Sequence, residues 1–190
     1  MNNREEITVI AGGHRYRGFE DVHVRAAINE AARNFQIKTT ESPGEFRFPC
    51  GTPIQILANG DLTLDGYVNL YSPSGDEKTH TIGLQGRGKG QDFIDCAPDH
   101  ATGTWVDKTP DAIARELDQW GVGIKAEIPL EAEEYWKREP GEKSFETLER
   151  LLRGHGATMM GNADGSISIT NASVAKRHAG ALIEGVNIKK

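Results

Sequence analysis

The sequence predicts an α+β protein: a mostly antiparallel β-barrel domain over residues 1–88, a small α+β domain over 89–172, and the start of a further segment over 173–190. Three observations predict it. Through residue 88 apolar side chains recur at every second position between glycine-bearing turns, the period of a half-buried strand. After Gly88 the period becomes that of amphipathic helices with cap residues at their starts. The switch falls on a glycine cluster, Gly86-Arg87-Gly88-Lys89-Gly90.

The elements follow in order. Ile7 to Ala11 and His14 to Gly18 flank Gly12-Gly13, a pair suited to the positive φ of a two-residue hairpin turn. Val22 and Val24 alternate with His23 and Arg25, and Phe35, Ile37 and Thr39 alternate again. Between these two strands, Ala26 to Arg33 reads as one or two helical turns crossing a barrel end. Pro53 to Ala58, the Asn59-Gly60 turn and Leu62 to Tyr71 make a second hairpin, since Asn-Gly between alternating runs is among the strongest short-range hairpin signals. A polar loop from Ser72 to Lys78 precedes the strand Thr79 to Gln85. About seven strands with one helical interruption describe a small barrel or sandwich.

In the second half, Gln91 to Cys96 reads as a short helical turn before Pro98. Thr109 then stands as an N-cap with Pro110 at the first helical position; Ile113, Leu117 and Trp120 fall on one face, and Gly121 can close the helix. Val122 to Ile128 reads as a strand and Leu130 to Gly141 as a charged loop. Ser144 caps a second helix whose apolar face is Leu148, Leu151 and Leu152, ended by Gly154 or Gly156. Ala157 to Met160 and Ser166 to Thr170 pair around Asn162-Ala163-Asp164-Gly165. The tail from Ser173 to Lys190 looks like a strand opening another layer.

Composition narrows the function classes. With 190 residues, 37% apolar residues and a mean hydropathy of −0.53, the chain reads as globular, and no run of 18 apolar residues spans a membrane. The start Met1-Asn2-Asn3-Arg4-Glu5-Glu6 lacks the apolar core of a secretory signal, so assembly in a cytoplasm is expected. A net charge of −6, from 28 acidic and 22 basic residues, argues against a dedicated nucleic-acid binder. The densest basic cluster, Arg150, Arg153 and His155, sits where a helix end favours cations.

One motif invites an enzymatic reading. Gly83-Leu84-Gln85-Gly86-Arg87-Gly88-Lys89 fits G-x-x-x-x-G-K after a strand and before a helix, as a phosphate-binding loop would. The following residue should be the Ser or Thr that ligates magnesium, and here it is Gly90. The helix behind it is short, and no alternating βαβα pattern surrounds it. The structural reading is that the glycines supply positive φ at a hinge-like joint between domains, with Arg87 and Lys89 solvated.

Other candidate chemistry is sparse. Cys50 and Cys96, far apart and without C-x-x-C partners, read as buried free thiols in a reducing compartment. His14, His23, His80, His100, His155 and His178 show no metal-ligand spacing, which leaves solvated strand or loop positions. Asp99-His100 could pair a base with its orienter, but no nucleophile stands in a recognisable setting. Glu131, Glu133 and Glu134 read as a solvated loop, and Trp105 and Trp120 as anchors of the second core.

A longer pattern does more. The strand ending in Gly86-Arg87 with Lys89, then Asp92-Phe93-Ile94-Asp95-Cys96, Gly103-x-Trp105, Thr109 with Ile113-Ala114 and Leu117, Gly121-Val122, Glu146-Thr147, Leu151, Arg153, Gly156 and the Gly165 hairpin resembles the baseplate hub (tail) proteins of Mu-type contractile-tail bacteriophages. The resemblance implies a tail-tube-like barrel followed by an inserted α+β domain, with a second tube-like domain normally after it. It implies a non-enzymatic virion structural protein: a homotrimer at full length in the tail baseplate, an adaptor between tail tube and spike, through which DNA passes without specific binding. It implies no membrane insertion of this chain, no cofactor, and no catalytic, cofactor-binding or metal-ligating residues. Family members are about twice as long as this chain. Two alternatives stand beside it: a nucleotide-binding enzyme acting through Gly83 to Gly90, and a cell-wall-binding module. Calorimetric titration with ATP or GTP and magnesium separates the first. The structural reading predicts no micromolar binding, whereas a nucleotide site predicts binding that Lys89→Ala abolishes.

Overall fold

A computed structural model describes residues 6–40, 48–75 and 80–171. The expected segment 173–190 and the latter part of the expected Ser72–Lys78 loop lie outside the described residues. Among those described, seven strands form one sheet: β1 (Ile7–Ala11), β2 (His14–Tyr16), β3 (Asp21–Arg25), β4 (Asn34–Thr40), β5 (Pro53–Ala58), β6 (Asp61–Gly75) and β7 (His80–Gly88). Their order is β2-β1-β5-β6-β7-β4-β3, antiparallel at every ladder.

That order forces curvature. β2 and β3 lie at opposite edges of the sheet, yet only Arg17 to Glu20 separate them in sequence. A link of that length reaches at most about 17 Å. Seven strands laid flat would place the edges about 29 Å apart. The sheet therefore curls into a half-barrel. Its concave side collects the alternate apolar residues, for example Phe35 and Ile37 of β4 against Val9, Ile54, Ile56, Leu64, Val68, Ile82 and Leu84, while Gln36 and Lys38 face out.

Two bulges shape β6. Thr63 is the extra residue opposite Ile56 and Leu57, and its hydroxyl returns to the Ile56 carbonyl at 2.8 Å. Asn69 is the extra residue between Val68 and Leu70; it accepts the Arg87 N–H at 3.1 Å and donates to Gln91 at 2.8 Å, tying β6 to the next element.

The second half comprises α1 (Gln91–Asp95), β8 (Thr104–Lys108), α2 (Pro110–Leu117), β9 (Ile124–Ala126), β10 (Glu133–Lys137), α3 (Ser144–Gly154), β11 (Thr158–Gly161) and β12 (Ile167–Thr170). β8 and β10 form a two-stranded antiparallel ribbon, and β11, β12 and β9 a three-stranded sheet. Its core is Ile113, Ala114 and Leu117 of α2 against Leu148, Leu151 and Leu152 of α3, closed by Phe93, Trp105, Met159, Ile167 and Ile169.

Several expectations are corrected. Residues 26–33 form turns rather than helix. Ser72 to Gly75 continue β6, and β7 runs on to Gly88 because β6 pairs with it throughout. The expected loop Leu130 to Gly141 contains β10, whose partner β8 lies some 30 residues back. α2 ends at Leu117, not at Gly121, because Asp118 caps the Val122 and Gly123 amides at 2.9 and 2.7 Å. The strand expected from Val122 to Ile128 shrinks to β9. Lys143, not Ser144, is the N-cap of α3; Glu146 accepts the Lys143 N–H at 3.0 Å, and the buried Ser144 hydroxyl donates to the Leu117 carbonyl.

The glycine cluster is corrected too. Gly86, Gly88 and Gly90 are absent from the positive-φ positions among the described residues. Gly86 is required by proximity instead: a Cβ there would overlap the Tyr67 carbonyl oxygen and come within 2.6 Å of the Phe35 ring. Gly86→Ala is predicted to cost about 3 kcal/mol through overpacking. Gly154→Ala, at an open helix position, should be neutral or stabilise by about 0.5–1 kcal/mol. Urea denaturation of the two variants checks both.

Candidate interaction surface

The near-phosphate loop is not a loop. Gly83 to Gly88 lie in β7 with β4 on one side and β6 on the other, and the Arg87 and Gly88 amides go to the Asn69 side chain and the Arg33 carbonyl, so the segment forms no cradle. Lys89 is not solvated as expected: its ammonium meets Asp65 at 2.6 Å, and Gln55 donates to the same carboxylate oxygen at 3.1 Å. Arg87 pairs with Asp95.

Asp99-His100 is not a base and orienter. His100 Nδ1 accepts the Gly103 N–H at 2.9 Å and its ring lies 4.6 Å from that of Trp105, while Gln119 brackets the Asp99 backbone. The pair braces the connection into β8. Trp105 is 2% exposed, as a core anchor should be, and Trp120 packs on the same cluster from outside α2. Neither cysteine is buried: Cys50 sits exposed in a turn and Cys96, the C-cap residue of α1, is half-buried. Among the described residues no group of three or more His, Cys, Asp or Glu is placed to hold a metal ion.

Charged residues gather around the ribbon, where they clip it to the helices. On β8, Trp105 Nε1 donates to Glu116 of α2 at 2.8 Å and Lys108 pairs with the same carboxylate. The Lys108 hydrogen bond first, then that of Trp105, holds Glu116 below the usual carboxylate range. On β10, Glu133 meets His155 at the end of α3 at 2.9 Å, so these two are not solvated as expected, whereas Glu131 and Glu134 are exposed. Arg150 of α3 lies 4.2 Å over the Trp136 ring, donates to the Lys137 carbonyl at 2.8 Å, and grips Glu142 through two bonds of 2.9 Å. The basic cluster of the sequence is thus internally paired, with Arg153 held by Glu149.

The ribbon's outer face carries the cross-strand pair Val106 and Tyr135, 58% and 59% exposed. On the half-barrel, Leu70 is exposed beside a shallow depression of about 340 Å³ lined by Asn34, Gln36, Asn69 and Gln85. Open sheet edges and scattered apolar residues make contact surfaces. Such features suit protein partners better than a small substrate.

Comparison with known proteins agrees with the order of the two halves. Residues 6–88 match the family of the Mu phage baseplate assembly protein GpP-like N-terminal domain, and residues 90–171 match the second domain of baseplate hub protein gp44-like proteins. This chain belongs to the Mu-type baseplate hub family. Hub protein gp44 of Escherichia phage Mu is 28% identical over 191 aligned residues, covering 96% of this chain and 49% of that protein. The 43 kDa tail protein of prophage MuSo2 from Shewanella oneidensis superimposes with a TM-score of 0.86 at 26% identity, over 94% of this chain and 58% of that one. A tail protein from Neisseria meningitidis MC58 shares the fold, with a TM-score of 0.75 at 16% identity over 87% of this chain and 50% of that one. The hub chain thus spans about half the length of the relatives it matches.

The Arg150 grip has a measurable pH signature. The Arg150 hydrogen bonds first, then the backbone N–H of Glu139 and the Thr147 hydroxyl, hold Glu142 at about 2 against an ordinary 4.5. A folded value below the unfolded one stabilises above pH 4.5, and that contribution disappears as pH falls toward 2. Glu142→Gln should therefore cost on the order of 2–3 kcal/mol at pH 7 and almost nothing near pH 2, read from urea midpoints across that range.

Proposed function

We propose that this chain is a non-enzymatic component of a phage or prophage tail baseplate hub, acting as an adaptor between tail tube and spike. The observation that carries the reading is the consecutive match of two hub-protein domains over residues 6–88 and 90–171. In this reading residues 1–88 are the tail-tube-like domain, 89–172 the α+β domain, and the segment from 173 begins the next part of the full-length protein. The complete protein assembles as a homotrimer in a contractile tail after synthesis in the bacterial cytoplasm, and DNA traverses the ring without specific contacts.

Physical features support that role. Affinity between stacked rings comes from broad protein contacts and strand edges, which the half-barrel and the ribbon offer. A net charge of −6 keeps a passing polyanion from being held by phosphate contacts. Lys108 with Glu116, Glu133 with His155 and Arg150 with Glu142 are paired around the ribbon, an arrangement that braces a surface.

Light scattering on the full-length protein, alone and mixed with the tail-tube and spike proteins of the same phage, tests the proposal. A mass of three chains that increases with both partners is expected. A monomer that ignores both, or one retained on peptidoglycan, overturns it.

A further inference from the structure

Several hydrogen bonds hold the junction between the two cores. Gly88 N–H donates to the Arg33 carbonyl at 2.8 Å and Lys89 N–H to the Asp65 carbonyl at 3.1 Å. The turn segment 26–33 precedes β4, yet it delivers Ala31 into the core of the α+β half, where Ala31 is 3% exposed. Gly161, the last residue of β11, is bracketed there: its N–H donates to the Glu30 carbonyl at 2.8 Å, and its own carbonyl accepts Arg33 Nε at 3.1 Å.

The other branch of the same guanidinium points the opposite way. Arg33 Nη1 donates at 2.8 Å to the carbonyl of Thr63, the residue that bulges from the β5–β6 ladder. One side chain therefore holds β11 with one nitrogen and β6 with another. Burial pulls the pKa of this guanidinium down and the Asp164 carboxylate opposes the shift, as for a cation removed from water beside a counter-charge.

The backbones around it approach as closely as glycine permits. A Cβ on Gly90 would lie 2.7 Å from the Ala31 carbonyl oxygen, and one on Gly161 would lie 2.8 Å from the same oxygen. A Cβ on Gly165 would lie 2.8 Å from Lys89 Cβ and 3.0 Å from the Asp65 carbonyl oxygen.

We propose that Arg33 is a latch joining the half-barrel and the α+β half into one cooperative body, so that Gly88 to Gly90 is a locked seam and not the hinge that its glycines suggest. A lysine preserves the charge near Asp164 but lacks the planar fork that serves two diverging carbonyls. Arg33→Lys therefore separates the latch from simple electrostatics.

The test follows urea unfolding of the whole chain by two probes. Trp105, Trp120 and Trp136 all belong to or pack on the second core, so their fluorescence reports that half. Hydrogen exchange of peptides covering β5 and β6 reports the half-barrel. Coincident midpoints are expected for the wild type. Arg33→Lys should move the two midpoints apart and speed exchange in residues 26–33 and 158–165 at least tenfold. Gly161→Ala, which presses on the Ala31 carbonyl while leaving Arg33 in place, should do the same. Wild-type midpoints that already differ overturn the latch, as do coincident transitions with unchanged exchange in either variant.

Discussion

The Ala31 carbonyl oxygen stands between the bare α-carbons of Gly90 and Gly161, and the relation of the two halves depends on that contact. It belongs to a segment with no regular structure, lodged between a β-strand on one side and a helix start on the other. A carbonyl can approach an α-carbon this closely from that side only where the approached residue carries no Cβ. The seam glycines are therefore tied to one another: replacing one forces the neighbouring carbonyl away, and the hydrogen bonds around Gly161 with it. Glycines that read as points of freedom in a sequence act here as points of contact.

A second consequence concerns charge. The long-range pairs Lys89 with Asp65 and Arg150 with Glu142 each bring together an ion pair and an additional donor, while Trp136 stacks under Arg150. Partly buried pairs of this kind are costly to break one partner at a time, more than their net contribution to stability would imply. They fix positions, of the junction in the first case and of the ribbon against α3 in the second. Fixed geometry of this kind matters more to a contact surface than extra stability does.

Much of this architecture was legible in the sequence. Period-two alternation exposed β1, β4, β5 and β6, the Asn59-Gly60 pair marked its hairpin, and the apolar faces of Ile113 with Leu117 and of Leu148 with Leu151 gave both long helices. The family resemblance followed from residue order alone. What escaped has physical reasons. β10 reads Glu133-Glu134-Tyr135-Trp136-Lys137, with no alternation, and becomes a strand only because β8 pairs with it and α3 covers Trp136. Residues 26–33 have a passable helical composition, but their carbonyls are needed by Gly161 and Gly88, which a helix would have kept for itself. The partners of Lys89, Glu142 and His155 are set by tertiary contact, and spacing along the chain carries no trace of them.

The four residues between β2 and β3 set a limit of a different kind. Because they bind the first edge of the sheet to the last, curvature is a covalent property of this half, not a product of how its core is filled. At that end the gap between the edges can never exceed about 17 Å, the full stretch of the link. With strands about 4.8 Å apart, that leaves room for two additional strands and no more. Any neighbour that completes this barrel by strand pairing must therefore offer a narrow insert, and a broad sheet could meet it only face to face.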